Sequence, residues 1–147
     1  MRGVKRRQLL QSLSCLPVLS SALLAVSQDA DHKKASTIVY ELRVYHASPG
    51  KLGELLARFR QHTTKLFEKH GMKNVAYFTP VEQPDAGNML IYILQHPSRD
   101  AASVNWKSFQ DDPEWKRVKE QSEANGKLTE KVESTFMALT DFSPRLR

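Results

Sequence analysis

Large side chains at every second position mark the first β-strand of the chain. Between residues 38 and 45 the chain alternates as a strand does when successive side chains point to opposite faces. One face carries Tyr40, Leu42 and Val44, and the other carries Glu41, Arg43 and Tyr45. Since large side chains occupy both faces, both faces of this strand are predicted to be covered.

Apolar side chains at three- and four-residue intervals follow the strand and predict an amphipathic helix. The stripe consists of Leu52, Leu55, Leu56, Phe59, Leu66 and Phe67. Ser48 is predicted to be the N-cap and Pro49 the first helical residue, and Gly71 is predicted to end the helix in the left-handed conformation. The Ser-Pro-Gly-Lys sequence therefore begins a helix, because it has neither the second glycine nor the Lys-Ser/Thr pair of a phosphate-binding loop.

The rest of the chain repeats the same kinds of pattern. Two strands are predicted over residues 74–79 and 89–95. A helix capped by Ser98 follows over 98–109, and a second helix begins at Asp112-Pro113 and runs over 112–126. The last strand is predicted over 131–140. The resulting order β-α-β-β-α-β is that of the ferredoxin-like arrangement in the α+β class.

The two helices can cover only one face of a four-stranded sheet. The other face would expose Tyr, Ile, Leu, Met and Phe over an area larger than monomers usually leave in water. Burying about 500 Å² per subunit would contribute roughly 12 kcal/mol, before the costs of association. The face that carries Glu41, Arg43 and Tyr45 is therefore expected to be covered by the same sheet of a second copy, in a homodimer.

Residues 1–27 have the composition of an export signal and not of a folded domain. They begin with four basic residues, continue with an apolar run from about Leu9 to Val26, and end in an Ala25-Val26-Ser27 sequence that resembles a signal-peptidase site. Serines and Pro17 dilute the run, which argues against a permanent membrane span. The sequence thus predicts a signal peptide over 1–27, a flexible lead-in over 28–36, a domain over 37–147 and a location in the bacterial periplasm or envelope.

We expect a variant that lacks residues 1–27 to remain in the cytoplasm, as cell fractionation would show. Recovery of the truncated protein from the envelope would contradict the export signal. Arg6 and Arg7 also match the twin-arginine export pattern. Their replacement by Lys would block export only if that route is used.

Charge and cysteine content exclude several classes of function. The net charge of +6 includes the four unopposed basic residues of the signal, so about +2 remains on the domain. That charge is too small to indicate nucleic-acid binding. Cys15 is the only cysteine and lies in the signal, so the domain has no disulfide, thiol nucleophile or Cys-ligated metal. The histidines lack metal-ligand spacing, and no metal site is predicted.

Several ordered motifs of the domain resemble those of the NIPSNAP family. The resemblance runs from about residue 38 to 142 and is carried by Tyr40-Glu-Leu-Arg-x-Tyr45, Pro49-Gly-Lys-Leu52, Leu55-Leu56-x-Arg58-Phe59-x-x-His62-Thr63, Leu66-Phe67-x-Lys69-His70-Gly71, Trp106-x-x-Phe109 and Asp112-Pro-Glu-Trp115. It implies a dimeric α/β barrel in which two ferredoxin-like units face each other sheet to sheet. Folds of this kind include cofactor-free monooxygenases, haem-degrading enzymes, dehydratases and ligand binders, so the fold leaves reaction and cofactor open.

His62 and Arg43 are the candidate catalytic residues. His62 lies seven residues after Leu55 and four before Leu66, which predicts a position on the sheet-facing stripe, where it could be a general base. The alternative is a core histidine with a hydrogen bond to Tyr or Arg. Arg43 could hold a ligand carboxylate or enolate. Its alternative is an ion pair with Glu41 or with a carboxylate of the partner subunit.

Aromatic side chains supply the candidate ligand pocket, which comprises Tyr40, Tyr45, Tyr77, Tyr92, Trp106 and Phe109. Packing in the core is the alternative role for each of them. The leading hypothesis is a homodimer that binds a small, mostly apolar molecule between helix and sheet. If it is an enzyme, His62 would be the base of a metal-free enolisation or oxygenase step, with Arg43 and a tyrosine stabilising negative charge. The rival hypothesis is a non-enzymatic interaction module whose dimer is structural.

Overall fold

The computed structural model describes residues 38–144 and Leu146. The predicted signal peptide and lead-in lie outside these described residues. None of the described helices is long and apolar enough to cross a membrane.

Four strands and five helical segments form the described domain. In chain order they are β1 (Val39–Ala47), α1 (Leu52–Arg58), a π-helical turn (Phe59–Thr63), α2 (Thr64–Lys69), β2 (Lys73–Phe78), β3 (Met89–His96), α3 (Arg99–Asp111), α4 (Pro113–Ser122) and β4 (Thr129–Met137). The strands form one sheet in the order β2-β3-β1-β4, and every neighbouring pair is antiparallel. This topology confirms the predicted ferredoxin-like α+β fold.

The helices cover the sheet face that carries Glu41, Arg43 and Tyr45. Strand β3 contributes Leu90, Tyr92, Leu94 and His96 to this face, and all four are buried. The expectation that a second copy covers this face is therefore wrong. The charged residues Glu41 and Arg43 lie beneath the helices, where they form an ion pair at 2.8 Å, and not in an interface between two sheets.

The opposite face is the one that no described helix covers. It carries Leu42 and Val44 from β1, Ile91 and Ile93 from β3, and Phe78 from β2, and Phe78 is 53% exposed. Because Phe78 and Val44 both pair with Ile91, a row of apolar side chains crosses three strands. We call these five residues the open face.

The start of the first helix differs from the prediction. Helix α1 begins at Leu52 with Lys51 as its N-cap and without a side-chain cap. Ser48 instead closes a turn, since its carbonyl accepts a hydrogen bond from the Lys51 amide at 2.9 Å, and Gly50 adopts φ +72° within that turn. A left-handed residue cannot continue a right-handed helix, so Pro49 stays outside it. Gly71, at φ +75°, ends α2 as predicted.

The predicted caps of the later helices are confirmed. Ser98 accepts a hydrogen bond from the Ala101 amide at 3.0 Å, and Asp112 accepts one from the Glu114 amide at 2.8 Å. The Asp112 carboxylate also lies 2.6 Å from His70 Nε2, which connects the end of α2 to the start of α4. The other ring nitrogen, His70 Nδ1, lies 2.8 Å from Ser108 Oγ on α3. His70 is therefore a tertiary link as well as a helix-terminal histidine.

Candidate functional site

A buried carboxylate lies at the centre of the helix-covered face. Glu41 is 1% exposed, and its Oε1 accepts hydrogen bonds from Arg43 Nη1 at 2.8 Å and Ser134 Oγ at 2.6 Å. Its Oε2 accepts from Trp106 Nε1 at 2.7 Å and lies 2.9 Å from His96 Nε2. This single side chain therefore connects three strands and α3.

The four donors determine the protonation state of Glu41. Burial alone would raise the pKa of its carboxyl group, but the hydrogen bonds from His96, Ser134, Trp106 and Arg43 lower the pKa from 4.5 to about 2. The carboxylate is thus ionised near neutral pH and its oxygens are committed to structural bonds. An ionised carboxylate can only accept, so His96 Nε2 carries the proton and His96 Nδ1 is a buried nitrogen without a partner among the described residues.

Arg43 lies between Glu41 and two aromatic rings. Its Cζ is 4.3 Å from the centroid of the Trp106 ring and 5.5 Å from that of Tyr45, and Nη2 donates to Tyr45 Oη at 3.4 Å. The ion-pair alternative for Arg43 is therefore confirmed. Its Nε is buried and has no hydrogen-bond partner within residues 38–144, although the side chain as a whole is 17% exposed.

Tyr92 lies directly opposite Arg43 on the neighbouring strand, and both side chains point toward the helices. Tyr92 is fully buried, and its hydroxyl lies near Tyr45 but makes no well-aligned hydrogen bond within the described chain. Burial raises the pKa of Tyr92 well above its ordinary value, and Tyr45 adds to this shift by its charge and by a hydrogen-bond interaction, while the charge of Arg43 opposes it. The Tyr92 hydroxyl is therefore a protonated donor. One cross-strand pair thus presents two unsatisfied donors.

The helices leave the β4 flank of this face open. Val132 and Ser134 lie opposite Tyr45 and Arg43 and share their face of the sheet. Both are nevertheless solvent-exposed, Val132 to 43%. Access to the Arg43 side chain is therefore from β4, beside the partly buried Trp106 ring.

Most of the predicted pocket residues come together around Tyr92. The Tyr77 and Tyr45 rings lie 5.3 Å from the Tyr92 ring, the former stacked and the latter edge-on. Trp106 and Phe109 pack against each other at 5.7 Å in the same core, which agrees with their alternative role in packing. Tyr40 is the exception, because it lies on the opposite face and lines a hollow of about 620 Å³ with Gln95 and Leu139.

His62 is not on the sheet-facing side of its helix, so the prediction of its position is wrong. The π-helical turn at residues 59–63 has more residues per turn than an α-helix. The side chains between Leu55 and Leu66 therefore point in other directions than an uninterrupted α-helix would give them. Thr63, which is 1% exposed, takes the inward position instead. His62 lines a groove between the π-helical turn and α4, and that groove contains neither Arg43 nor any predicted pocket tyrosine.

Sequence reasoning missed Glu41 and His96 as central residues. The sequence predicts Glu41 only as an alternative partner of Arg43, and it assigns no role to His96, which directly follows the predicted strand over 89–95. Their signal is nonetheless in the sequence, because Glu41 lies between Tyr40 and Leu42, and His96 continues the alternating positions of Leu90, Tyr92 and Leu94. A charged residue at such a position must find a buried partner.

The described residues contain no group of three or more His, Cys, Asp or Glu side chains that could hold a metal ion. The available chemistry is that of two hydrogen-bond donors among aromatic rings. Such a set binds and orients a polar atom of an otherwise apolar molecule.

Several solved structures have a similar fold. An uncharacterised NIPSNAP-like domain protein from Burkholderia xenovorans is 15% identical with a TM-score of 0.65, over 76% of this chain and 93% of that one. A NIPSNAP family protein with unknown function from Agrobacterium tumefaciens is 23% identical with a TM-score of 0.64, over 75% and 95%. A monooxygenase from Streptomyces coelicolor, in complex with nanaomycin D, is 15% identical with a TM-score of 0.50, over 73% and 92%.

A comparison with curated protein sequences gives no match. The family model of NIPSNAP proteins, in contrast, matches residues 40–144, which is most of the sequence. The predicted resemblance is therefore confirmed, and the chain belongs to the NIPSNAP family.

Proposed function

We propose that the domain is a homodimer that binds a small, flat, mostly apolar molecule with a carbonyl or phenolic oxygen. The binding site is the helix-covered face beside Arg43 and Tyr92. The observation that carries this proposal is the pair of buried donors, Arg43 Nε and Tyr92 Oη, which lack partners among the described residues. A buried donor without a partner costs about 1–3 kcal/mol, and a ligand oxygen would remove that cost.

The surroundings of the two donors favour an aromatic ligand. Tyr45, Tyr77 and Trp106 supply ring faces and edges beside Arg43 and Tyr92. Flat apolar molecules pack against such rings, while a buried donor would hold the polar oxygen of the ligand. The ligand enters from the β4 flank, where the sheet is exposed beside Trp106.

Binding, and not proton abstraction, is the activity that the geometry supports. Glu41 has a pKa of about 2 and its oxygens are occupied, so it is a poor base. His96 Nδ1 has no hydrogen-bond partner among the described residues, but His96 lies four residues along β3 from Tyr92, which is about 13 Å, and Leu94 lies between them on the same face. His62 lines a different groove. The geometry therefore gives no support for an enolisation or oxygenase step.

Pairing of the open face with that of a second copy supports the homodimer. Ile91, Val44 and Phe78 form a continuous apolar row that no described helix covers. Monomeric proteins seldom leave such a row in water. Closed oligomers commonly pair identical surfaces about a two-fold axis, so both subunits would bury the same five residues.

The test compares 1-naphthol with naphthalene, which has the same rings without the oxygen. Wild-type protein is expected to bind 1-naphthol at least about tenfold more tightly, because only 1-naphthol satisfies the buried donors. Arg43→Lys keeps the positive charge but removes Nε, and it should abolish this preference. Tryptophan fluorescence or calorimetry gives both affinities.

Arg99→Lys is the matched control, because Arg99 also lies over an aromatic ring, that of Phe136 at 3.9 Å, but takes no part in the site. It should leave the preference for 1-naphthol unchanged. Equal affinity of the wild-type protein for the two compounds, or an Arg43→Lys variant that is folded and retains the preference, would overturn the proposal.

A further inference from the structure

We infer a second binding site in the groove between the first helix and α4, for a neutral polyhydroxylated molecule the size of one sugar ring. The groove has a volume of about 330 Å³. That volume is at the lower end of the range for small-molecule sites. Its lining includes Ala57, Arg58, Gln61, His62, Val118 and Asn125.

Arg58 makes the groove more than a surface depression. It is 5% exposed, its Nη1 donates to Glu123 Oε1 at 2.9 Å and Ser122 Oγ at 3.3 Å, and its Cζ lies 5.2 Å from the centroid of the Trp115 ring. Its Nε is buried and lacks a partner among the residues the structure describes. The groove is therefore lined by a fixed, almost fully buried guanidinium group with one unsatisfied donor.

The charges that line the groove are compensated within the protein. Arg58 forms an ion pair with Glu123 at 2.9 Å, and Glu54 forms one with Lys51 at 2.8 Å. The positive charge of Arg58 is therefore already neutralised by Glu123. A ligand carboxylate or phosphate would also lie close to the carboxylates of Glu54 and Glu123, which would repel it. A neutral ligand carries no such cost.

The remaining polar side chains of the lining are three amides, an imidazole and the Ser122 hydroxyl. Gln61, His62 and Asn125 make no side-chain hydrogen bond within the described part of the chain, and Gln121 makes one, to Arg117 at 3.2 Å. Amides present both donors and acceptors. A hydroxyl group also donates and accepts, so several hydroxyls on one molecule match this set better than a carboxylate, which only accepts.

A small apolar surface completes the match. Val118, which is 3% exposed, and Ala57 lie among the polar groups of the lining. A sugar ring carries C–H groups on its faces and hydroxyls around its edge, so it can contact the aliphatic side chains and the amides at the same time. The π-helical turn contributes by presenting His62 to this groove, and such turns are frequent at functional sites.

The test is a two-dimensional amide NMR titration with glucose, N-acetylglucosamine and, as anions, acetate and phosphate. At least one sugar is expected to give saturable shifts at residues 57–62 and 118–125 below about 50 mM, in the millimolar range of weak ligands. Gln61→Ala should weaken that binding at least about fivefold. Gln61 is exposed, so this variant should fold.

Gln110→Ala is the matched control, because Gln110 is an equally exposed glutamine on α3, outside the groove. It should leave the sugar affinity unchanged, as should Arg43→Lys. Absence of saturable shifts with both sugars, equal or larger shifts with the anions, or an unaffected Gln61→Ala variant would each overturn the inference. These outcomes are independent of 1-naphthol binding, so the two sites are tested separately.

Discussion

Glu41→Gln is expected to lower the free energy of unfolding by about 3–5 kcal/mol at neutral pH, because it breaks a buried ion pair and leaves the Arg43 charge uncompensated. The glutamine amide would also direct N–H groups toward donors that now point at the carboxylate, such as Trp106 Nε1. Urea unfolding followed by circular dichroism measures the change. The effect is large because one side chain connects β1, β3, β4 and α3.

The pH dependence of the free energy of unfolding distinguishes the contribution of the Glu41 charge from that of its packing. Since the pKa of Glu41 is lowered from 4.5 to about 2, the stabilisation is complete above pH 4.5 and is lost as the pH falls to about 2. A shift of that size corresponds to about 3 kcal/mol. The difference in stability between the wild type and Glu41→Gln should therefore become smaller between pH 5 and pH 2.

Glu114→Gln is the control, since the Glu114 carboxylate lies on the exposed surface of α4, 3.6 Å from Lys69. It should leave the urea midpoint at neutral pH nearly unchanged. A Glu41→Gln variant as stable as Glu114→Gln at neutral pH would show that the buried cluster does not stabilise the fold.

Ile91→Lys is expected to dissociate the proposed dimer, raising its dissociation constant at least about 100-fold. Ile91 lies at the centre of the open face, between Val44 and Phe78. In a two-fold interface the substitution introduces two lysines, each without a partner and each removed from water. Sedimentation velocity over a range of micromolar concentrations measures the effect.

Val104→Lys provides the comparison, because Val104 is 67% exposed on α3, away from the open face. The same change of side chain there should leave the sedimentation profile unaltered. If wild-type protein sediments as a monomer throughout this range, the open face is not a dimer interface.

Local patterns predicted the strands and most helix ends because these depend on neighbouring residues. Ser98 and Asp112 cap their helices and Gly71 ends α2, as expected from their short polar or missing side chains. The start of α1 was misplaced because the turn at Ser48 competes with helix initiation. Such a choice between two local hydrogen-bond patterns is not visible in residue types alone.

The position of His62 could not be predicted, because the rule of 3.6 residues per turn assumes an uninterrupted α-helix. One π-helical turn changes which side chain points inward, and Thr63 replaces His62 there. No single residue type predicts a π-helical turn. Thr63 and Thr64 do form hydrogen bonds through their hydroxyls to the carbonyls of Arg58 and Phe59, both at 3.3 Å.

The assignment of sheet faces also required the structure. Tyr40, Leu42 and Val44 are the kind of side chain that fills a core, whereas Glu41 and Arg43 are charged. The pattern alone therefore predicts that the charged side chains lie away from the helices. The opposite arrangement holds because His96, Trp106 and Ser134 supply the partners of Glu41. Those partners lie 55 to 93 residues away in sequence and meet Glu41 only in the fold.

Tyr92→Phe tests the central claim most directly, because it removes one unsatisfied donor and almost nothing else. Thermal unfolding of the wild type and the variant, with and without 1-naphthol, is the measurement. The free variant is predicted to be at least as stable as the wild type, because the hydroxyl has no well-aligned partner to lose, while the stabilisation by 1-naphthol largely disappears. A variant that is clearly destabilised in the free state, yet gains as much stability from 1-naphthol as the wild type, would contradict the account.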